Sequence, residues 1–246
     1  VYPPTHRFST SVLAGNSPGT LVLVGGGDPT LTAAPAGRPG AYPDAARIRD
    51  LARQLRGRHV TRIVVDDSLF TGPAGAPPWA PSAVPSGYAC PITAAMVDGG
   101  RAAPADSVRS ASPDLAAGRA LARALGAPGV PITRGGAPAG AGMLASVRSA
   151  PLDKLVEQML QQSDNVIAEV LARQVALARG GPASFTGAAA AIGSVLAGLG
   201  VQVGSGMHDG SGLAASDRLS PATLTGLLRV IAGPAHPQLH DVLAGL

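Results

Sequence analysis

Two stretches with helical periodicity meet at the tripeptide Ser163-Asp164-Asn165, and this junction constrains the fold more than any other feature of the sequence. Apolar residues recur on one helix face before the junction, and the same period resumes after it without a Gly or Pro. These residues are Leu152, Leu155, Val156, Met159 and Leu160 before the junction, and Ile167, Val170, Leu171 and Val175 after it. Two amphipathic helices joined at a short polar corner would hold a hydroxyl and an amide rigidly.

The same tripeptide also fits a purely structural role. Ser, Asp and Asn commonly cap helix N-termini, because their side-chain oxygens accept hydrogen bonds from unpaired backbone N–H groups. The reciprocal partner of a capping box is missing, since Val166 stands three residues after Ser163 where such a box has Glu or Gln. On these three residues alone, a helix cap and a functional corner both stay open.

The remaining pattern predicts alternating strands and helices. The predicted strands are 8–14, 20–24, 62–66, 92–97 and 143–148, with a further extended segment at 201–207. The predicted helices besides the central pair are 44–56, 114–125, 184–199 and 220–231. Ser184 and the pair Ser220-Pro221 are the expected starts of the last two helices. The Pro-rich span 73–91 predicts a long ordered loop or lid.

Three motif matches fail on chemistry or spacing. Residues 15–19 match the nucleophile-elbow pattern Gly-x-Ser-x-Gly, but Pro18 follows the serine and has no N–H to offer an oxyanion. The glycine run 25–27 lacks the spacing of either phosphate-binding loop. His236 and His240 have the spacing of a zinc-binding helix without its glutamate. No metal and no cofactor are therefore expected.

Charge and composition limit the partners. Lys154 is the only lysine among 19 basic residues, the arginines are scattered, and aromatic residues make up 3% of the chain. Nucleic-acid binding needs a cationic stripe with aromatic or groove-reading partners, so that class is not expected. The net charge of +4 favours a polyanionic neighbourhood such as a wall polymer or a membrane surface. The single cysteine, Cys90, cannot form an internal disulfide, and no apolar run reaches eighteen residues.

Five segments, taken in order, resemble the penicillin-binding protein 4-like D-alanyl-D-alanine carboxypeptidases, peptidase family S13. They are Gly25-Gly26-Gly27-Asp28-Pro29-Thr30-Leu31, Ala95-Met96-Val97-Asp98-Gly99-Gly100, Ser163-Asp164-Asn165, His208-Asp209-Gly210-Ser211-Gly212-Leu213 and Asp217-Arg218-Leu219-Ser220-Pro221. They follow the family's order at similar separations and span most of the chain. The preference for Arg over Lys and the richness in Ala, Gly and Pro are similar to those of actinobacterial proteins.

The resemblance implies the fold class and the division into domains. The chain would be α/β, containing part of the penicillin-recognising (β-lactamase/transpeptidase-like) domain and a large inserted α/β domain. Residues 1–147 would form the inserted domain. Residues 148–246 would form the helical part of the transpeptidase-like domain, which carries the Ser-x-Asn motif.

The resemblance also implies the site residues. The hydroxyl of Ser163 would lie in the path of proton transfer, and the amide of Asn165 would bind the substrate backbone. Asp164 would belong with the substrate-binding residues mainly by holding the corner. The family's chemistry needs an activated hydroxyl and a proton for the departing amine.

Two of the family's three motifs are absent from this sequence. Ser-x-x-Lys and Lys-Thr-Gly each need a lysine, but Pro151 stands three residues before Lys154, and Leu155 and Val156 follow it. We therefore expect an internal stretch of a longer enzyme that begins abruptly at Val1, lacks the nucleophile and is inactive alone.

The complete protein is expected to be an exported, extracytoplasmic serine D,D-carboxypeptidase or endopeptidase. Its substrate would be the peptidoglycan stem peptide, and β-lactams would inhibit it covalently. An inactive wall-binding or scaffold protein of the same fold is the alternative, and a β-lactamase ranks behind both.

Two departures from the family pattern concern substrate preference. The acidic residue that commonly follows a tryptophan of the inserted domain is replaced by the sequence Ala-Pro-Ser after Trp79. The arginine that often follows the Ser-Gly-Leu-Ser run is missing, because Ala214 and Ala215 stand there. The resemblance therefore leaves the preferred stem peptide open.

Overall fold

The computed structural model describes residues 1–75 and 79–240, and a five-stranded mixed sheet forms its first layer. The strands are β1 (Ser9–Ala14), β2 (Thr20–Val24), β3 (Arg62–Asp66), β4 (Ile132–Arg134) and β5 (Met143–Arg148), in the order β4-β3-β2-β1-β5. β1 pairs antiparallel with both β2 and β5, whereas β2, β3 and β4 run parallel. The turn 15–19 closes the first hairpin, as predicted.

Two helices, α1 (Ile48–Gln54) and α2 (Pro113–Ala124), pack with the sheet to form the first core. Its largest fully buried members are Leu23, Leu31, Ile48, Leu51, Leu55, Ile63 and Leu121. Each such side chain stabilises the fold by about 1.5–3 kcal/mol. Gly118 of α2 lies so close to Ile132 and Val65 that a methyl group there would force the helix away from the sheet.

The second half of the chain is helical: α3 (Leu152–Gln162), α4 (Asn165–Ala178), α5 (Phe185–Gly198) and α6 (Pro221–Ala232). A second core joins α4 and α5 to the loop that follows β3. Its fully buried members include Ala89, Cys90, Ile92, Ala94, Met96, Val166 and Val170. Arg173 of α4 donates to the carbonyl oxygens of Thr71 (3.1 Å) and Ala183 (2.7 Å), so a buried guanidinium ties the loop to the helix.

Most predicted elements are confirmed, including both central helices and the caps at Ser184 and Ser220, whose hydroxyls accept from backbone N–H groups. The predicted strand 92–97 is wrong. Its apolar residues are divided between the two cores, with Ala95 and Val97 in the first and the others in the second. Its backbone bonds to loops: Gly27 donates to the Ala94 carbonyl, and Ala95 donates to the Asp67 carboxylate.

Three smaller differences also have structural reasons. The first helix begins at Ile48 and not at 44, because Arg47 is extended and pairs with Thr32. Thr32 donates to the Ala46 carbonyl and accepts from the Ile48 N–H. The segment 201–207 is a loop, and the three-residue β4 was not predicted. Such a short strand leaves too few residues for a detectable pattern.

The predicted boundary near residue 147 stays a prediction. Contacts cross it in several places: the Phe8 N–H donates to the Ser149 hydroxyl (3.0 Å), and the amide of Gln174 in α4 donates to the Gly26 carbonyl (2.9 Å). Within residues 1–75 and 79–240, no helix is long and apolar enough to cross a membrane.

Candidate functional site

A single residue, Ser163, changes the chain direction between α3 and α4. Ser163 adopts the left-handed backbone conformation (φ 49°, ψ 45°), which ends α3, and α4 begins at Asn165. The N–H of Asp164 closes the turn by donating to the Met159 carbonyl (3.0 Å). Ser163 is exposed and Asn165 is half-buried, whereas Asp164 between them is buried. The serine and the asparagine are therefore accessible from outside, and the carboxylate is not.

Asp164 is the N-cap of α4. One of its oxygens, Oδ1, accepts from the backbone N–H groups of Val166 (2.9 Å) and Ile167 (3.2 Å). The capping role is thus confirmed, but for Asp164 and not for Ser163. The helix start is satisfied without the serine hydroxyl.

The other oxygen of Asp164 collects three donors. Oδ2 accepts from the hydroxyl of Tyr42 (2.7 Å) and from the guanidinium groups of Arg101 (3.1 Å) and Arg109 (3.0 Å). Burial alone would raise the pKa of Asp164, but the charge of Arg109 and the other donors outweigh it and hold that pKa below its usual value. Burial and the neighbouring carboxylate both raise the pKa of Tyr42. The carboxylate therefore stays ionised and the phenol stays protonated at neutral pH.

Asn165 is oriented by a different segment. Its Nδ2 donates to the carbonyl oxygen of Tyr88 (3.0 Å) in the long loop after β3. That loop is fastened in turn by Arg109, whose Nε donates to the carbonyl of Gly87 (3.0 Å). The Pro-rich span predicted as a loop or lid thus supplies one contact to the corner.

The segment 95–100 helps to position Tyr42, one of the donors to Asp164. The Asp98 carboxylate accepts from the Thr32 hydroxyl (2.6 Å) and from two backbone N–H groups, those of Ala33 and Ala41, which fixes the loop that leads to Tyr42. Gly99 has φ 62°, and a side chain there would collide with the Tyr42 hydroxyl. Only glycine allows this close approach.

A cavity of about 420 Å³ lies beside the corner. Its lining includes Tyr88, Arg101 and Gln162, which directly precedes Ser163. A second cavity, of about 580 Å³, lies against the start of α5, away from the corner, and is lined mainly by apolar residues and small polar ones. Ser163 and Asn165 are not among the lining residues of the first cavity, which therefore adjoins the corner without containing it.

The loop 209–214 packs on α4 one helical turn beyond the corner. Asp209 accepts from the Trp79 indole (2.9 Å) and from the backbone of Gly212 and Ala214, while Glu169 of α4 accepts from the N–H groups of Gly210 (3.0 Å) and Ser211 (2.9 Å). Trp79 also pairs with Ala214 through an isolated antiparallel bridge. The two positions that depart from the family pattern are thus neighbours in space.

The structure brings all three predicted site residues to one corner, and their catalytic and binding roles stay predictions. The direct partners of the corner, Tyr42, Arg101 and Arg109, were not found from the sequence. The only signal was the position of Arg101 immediately after the Gly99-Gly100 pair. In the described part of the chain, no group of three or more His, Cys, Asp or Glu side chains is arranged to hold a metal ion.

Solved structures with a similar fold include two of one bacterial protein. Penicillin-binding protein 4 (DacB) from Haemophilus influenzae superimposes with a TM-score of 0.75 at 23% identity, covering 96% of this chain and 67% of that one. A structure of the same protein in complex with a β-lactam superimposes with a TM-score of 0.66 at 21% identity. These neighbours confirm the predicted fold class, a penicillin-recognising fold with an inserted domain.

Sequence comparisons extend the similarity over nearly the whole chain. The chain is 46% identical over 244 residues to a carboxypeptidase of Mycobacterium tuberculosis, and 44% identical over 249 residues to the carboxypeptidase DacB of Mycolicibacterium smegmatis. Each alignment covers 96% of this chain and 53% of the relative, so the chain spans about half the length of these relatives. The model of the D-Ala-D-Ala carboxypeptidase 3 (S13) family matches residues 2–107 and 102–246, and the chain therefore belongs to that family.

Proposed function

We propose that the complete protein is a serine-type D-Ala-D-Ala carboxypeptidase that acts on peptidoglycan stem peptides through an acyl-enzyme. Ser163 and Asn165 form one wall of its cleft. The nucleophilic serine with its lysine, and the Lys-Thr-Gly segment, come from polypeptide outside this sequence. Membership of the S13 family and the carboxypeptidase names of both relatives support this reaction class.

The observation that carries the proposal is the backbone of Ser163. A residue that ends a helix in the left-handed conformation is usually glycine, since any other residue pays a strain of about 1–3 kcal/mol. Here an exposed serine occupies that position (φ 49°), and the capping it could have supplied is done by Asp164. A strained residue whose side chain has no structural task points to a functional one.

The chemistry assigns a role to each residue. The nucleophilic hydroxyl attacks the carbonyl between the two D-alanines, an ester forms, the C–N bond breaks, and the departing amine takes a proton that passes through the Ser163 hydroxyl. Water then hydrolyses the ester. The Asn165 amide bonds the substrate backbone, and Asp164, whose carboxylate is already filled by protein donors, acts by holding the corner.

Further features of the complete protein follow from the same proposal. β-Lactams acylate the nucleophile, as the β-lactam complex of the structurally similar protein suggests. The enzyme works outside the cytoplasm, at the cell wall or membrane surface, where its substrate is. Residues 1–147 belong to the inserted domain and residues 148–246 to the transpeptidase-like domain.

Two substitutions of Ser163 in the full-length protein test the role of its hydroxyl. Ser163→Ala removes the hydroxyl and keeps the strain, whereas Ser163→Gly removes both. We expect release of D-alanine from a D-Ala-D-Ala peptide to fall on the order of 100-fold in both variants. Only Ser163→Gly should raise the free energy of unfolding, by about 1 kcal/mol. Ser17→Ala, in the exposed hairpin turn, is the matched control and should change neither quantity.

Labelling of the wild-type protein with a fluorescent penicillin decides between the function and its rivals. A covalent adduct together with D-alanine release supports the carboxypeptidase. A folded wild-type protein that forms no adduct would leave the inactive scaffold as the better account. Rapid turnover of nitrocefin would identify a β-lactamase.

A further inference from the structure

The guanidinium of Arg109 joins three segments that meet beneath the corner. Its side chain is only 5% exposed. Each nitrogen donates to a different partner: Nε to the Gly87 carbonyl (3.0 Å), Nη1 to the Gly99 carbonyl (2.6 Å) and Nη2 to Asp164 Oδ2 (3.0 Å). One planar group therefore fixes the relative positions of the long loop, the 95–100 segment and the start of α4.

Two of these three partners, Asp164 and Gly87, influence the position of Asn165. Asp164 precedes Asn165 in the chain and caps its helix. Gly87 precedes Tyr88, whose carbonyl accepts from the Asn165 amide (3.0 Å). Arg109 thus holds both the backbone that carries the Asn165 side chain and the loop that orients its amide.

Arg101 reaches the same carboxylate from the side of the 420 Å³ cavity. It is 16% exposed, donates to Asp164 Oδ2 (3.1 Å) and to the Tyr42 hydroxyl (2.6 Å), and lines the cavity next to Gln162. Two cations around one buried carboxylate exceed what neutralisation requires. A well-packed apolar cluster would often stabilise a fold equally well or better than a buried ion pair.

We propose that Arg109, assisted by Arg101, is a positioning residue that fixes the Asn165 amide and the Ser163 turn in the geometry needed for acylation. This inference rests on the proposed function of Ser163 and Asn165. The arginines act through the geometry of their hydrogen bonds and not through charge alone. A lysine at position 109 would keep the charge but lose the planar fork that reaches three acceptors at once.

Conservative substitutions in the full-length protein test this inference. We expect Arg109→Lys to lower the rate constant for acylation by a fluorescent penicillin by about 10- to 100-fold, and Arg101→Lys by about 3- to 10-fold. The loss should fall on kcat for D-alanine release more than on KM. Selective ¹⁵N labelling of asparagine should show a shifted Asn165 side-chain amide signal in both variants. Arg134→Lys, which changes an Arg–Asp pair on α2 and β4, is the matched control and should leave all readouts unchanged.

The outcomes separate this inference from the proposed function. If the wild-type protein is acylated and folded Arg109→Lys reacts within twofold of it with an unshifted Asn165 signal, the inference is overturned. If the wild-type protein is not acylated, the proposed function fails, and the amide signal alone decides whether the arginines position Asn165. If Arg109→Lys does not fold, Arg101→Lys decides by the same readouts, since its side chain is more exposed.

Discussion

The buried carboxyl of Glu169, one helical turn after Asn165, makes the free energy of unfolding depend on pH in a way that can be measured. It is fully buried on α4, where Oε1 accepts from the N–H groups of Gly210 and Ser211. Within the described residues, its Oε2 is buried without a hydrogen-bond partner. Burial, with a smaller contribution from the nearby Asp209 charge, raises the pKa of Glu169 from 4.5 to about 7 despite the hydrogen bonds that oppose it.

A raised carboxyl pKa makes stability fall as pH rises. The folded state of the protein binds the proton of Glu169 more tightly than the unfolded state does, so its contribution is fully present below pH 4.5 and is lost as pH rises through about 7. The difference between pKa 4.5 and about 7 corresponds to about 3 kcal/mol. Glu169→Gln keeps an acceptor for the loop and removes the ionisation. The variant should therefore gain about 2–3 kcal/mol relative to wild type between pH 5 and pH 8.

Urea unfolding followed by the fluorescence of the single tryptophan measures this difference, since Trp79 bonds to the same loop through Asp209. Burial also raises the pKa of Asp67 to about 6, but Asp67 is present in both proteins and its contribution cancels in the comparison. Glu157→Gln on the exposed face of α3 is the control and should track the wild-type curve. A wild-type minus Glu169→Gln difference that is the same at pH 5 and pH 8 would refute the reasoning.

Two further predictions concern the support beneath the corner. Gly99→Ala should lower the free energy of unfolding by about 2–4 kcal/mol, because the residue has φ 62° and its methyl group would meet the Tyr42 hydroxyl. Gly57→Ala is the control, since Gly57 also has positive φ but lies in open space, and it should lower the free energy of unfolding less. Equal losses for the two variants in urea unfolding would contradict the steric part of this account. Burial raises the pKa of the Cys90 thiol to about 12, so we expect no reaction with a disulfide reagent at pH 8 until the protein unfolds, and fast labelling of the native protein would contradict the buried site.

The elements that the sequence predicts well are those whose side chains report a local environment. α3 and α4 follow from a single periodic pattern, and the first hairpin follows from two apolar runs around a turn. The strand predicted at 92–97 fails for the opposite reason. Its apolar residues are divided between the two cores while its backbone bonds to loops, and periodicity cannot distinguish such a buried loop from a buried strand.

The candidate site likewise contains residues that the sequence predicts and residues that it does not. Ser163 and Asn165 could be located because the motif and its two helices are contiguous in the chain. The residues that hold them could not, since Tyr42, Arg101 and Arg109 lie 122, 63 and 55 positions from Asp164. Only the fold brings those donors to one carboxylate.

Of the two roles first considered for the tripeptide, the capping role belongs to Asp164 and so does not conflict with the functional role proposed for Ser163 and Asn165. Asp164 caps α4 with one oxygen and binds Tyr42 and two arginines with the other, so it takes on the whole structural task of the corner. Burial alone would raise the pKa of this carboxylate, and the charge of Arg109 with the other donors keeps it ionised while it caps the helix. Arg109 also fixes the positions of the loops around this carboxylate, by donating to the carbonyl oxygens of Gly87 and Gly99. The roles proposed for the exposed Ser163 and the half-buried Asn165 require fixed positions, because both side chains would have to meet a substrate outside the fold.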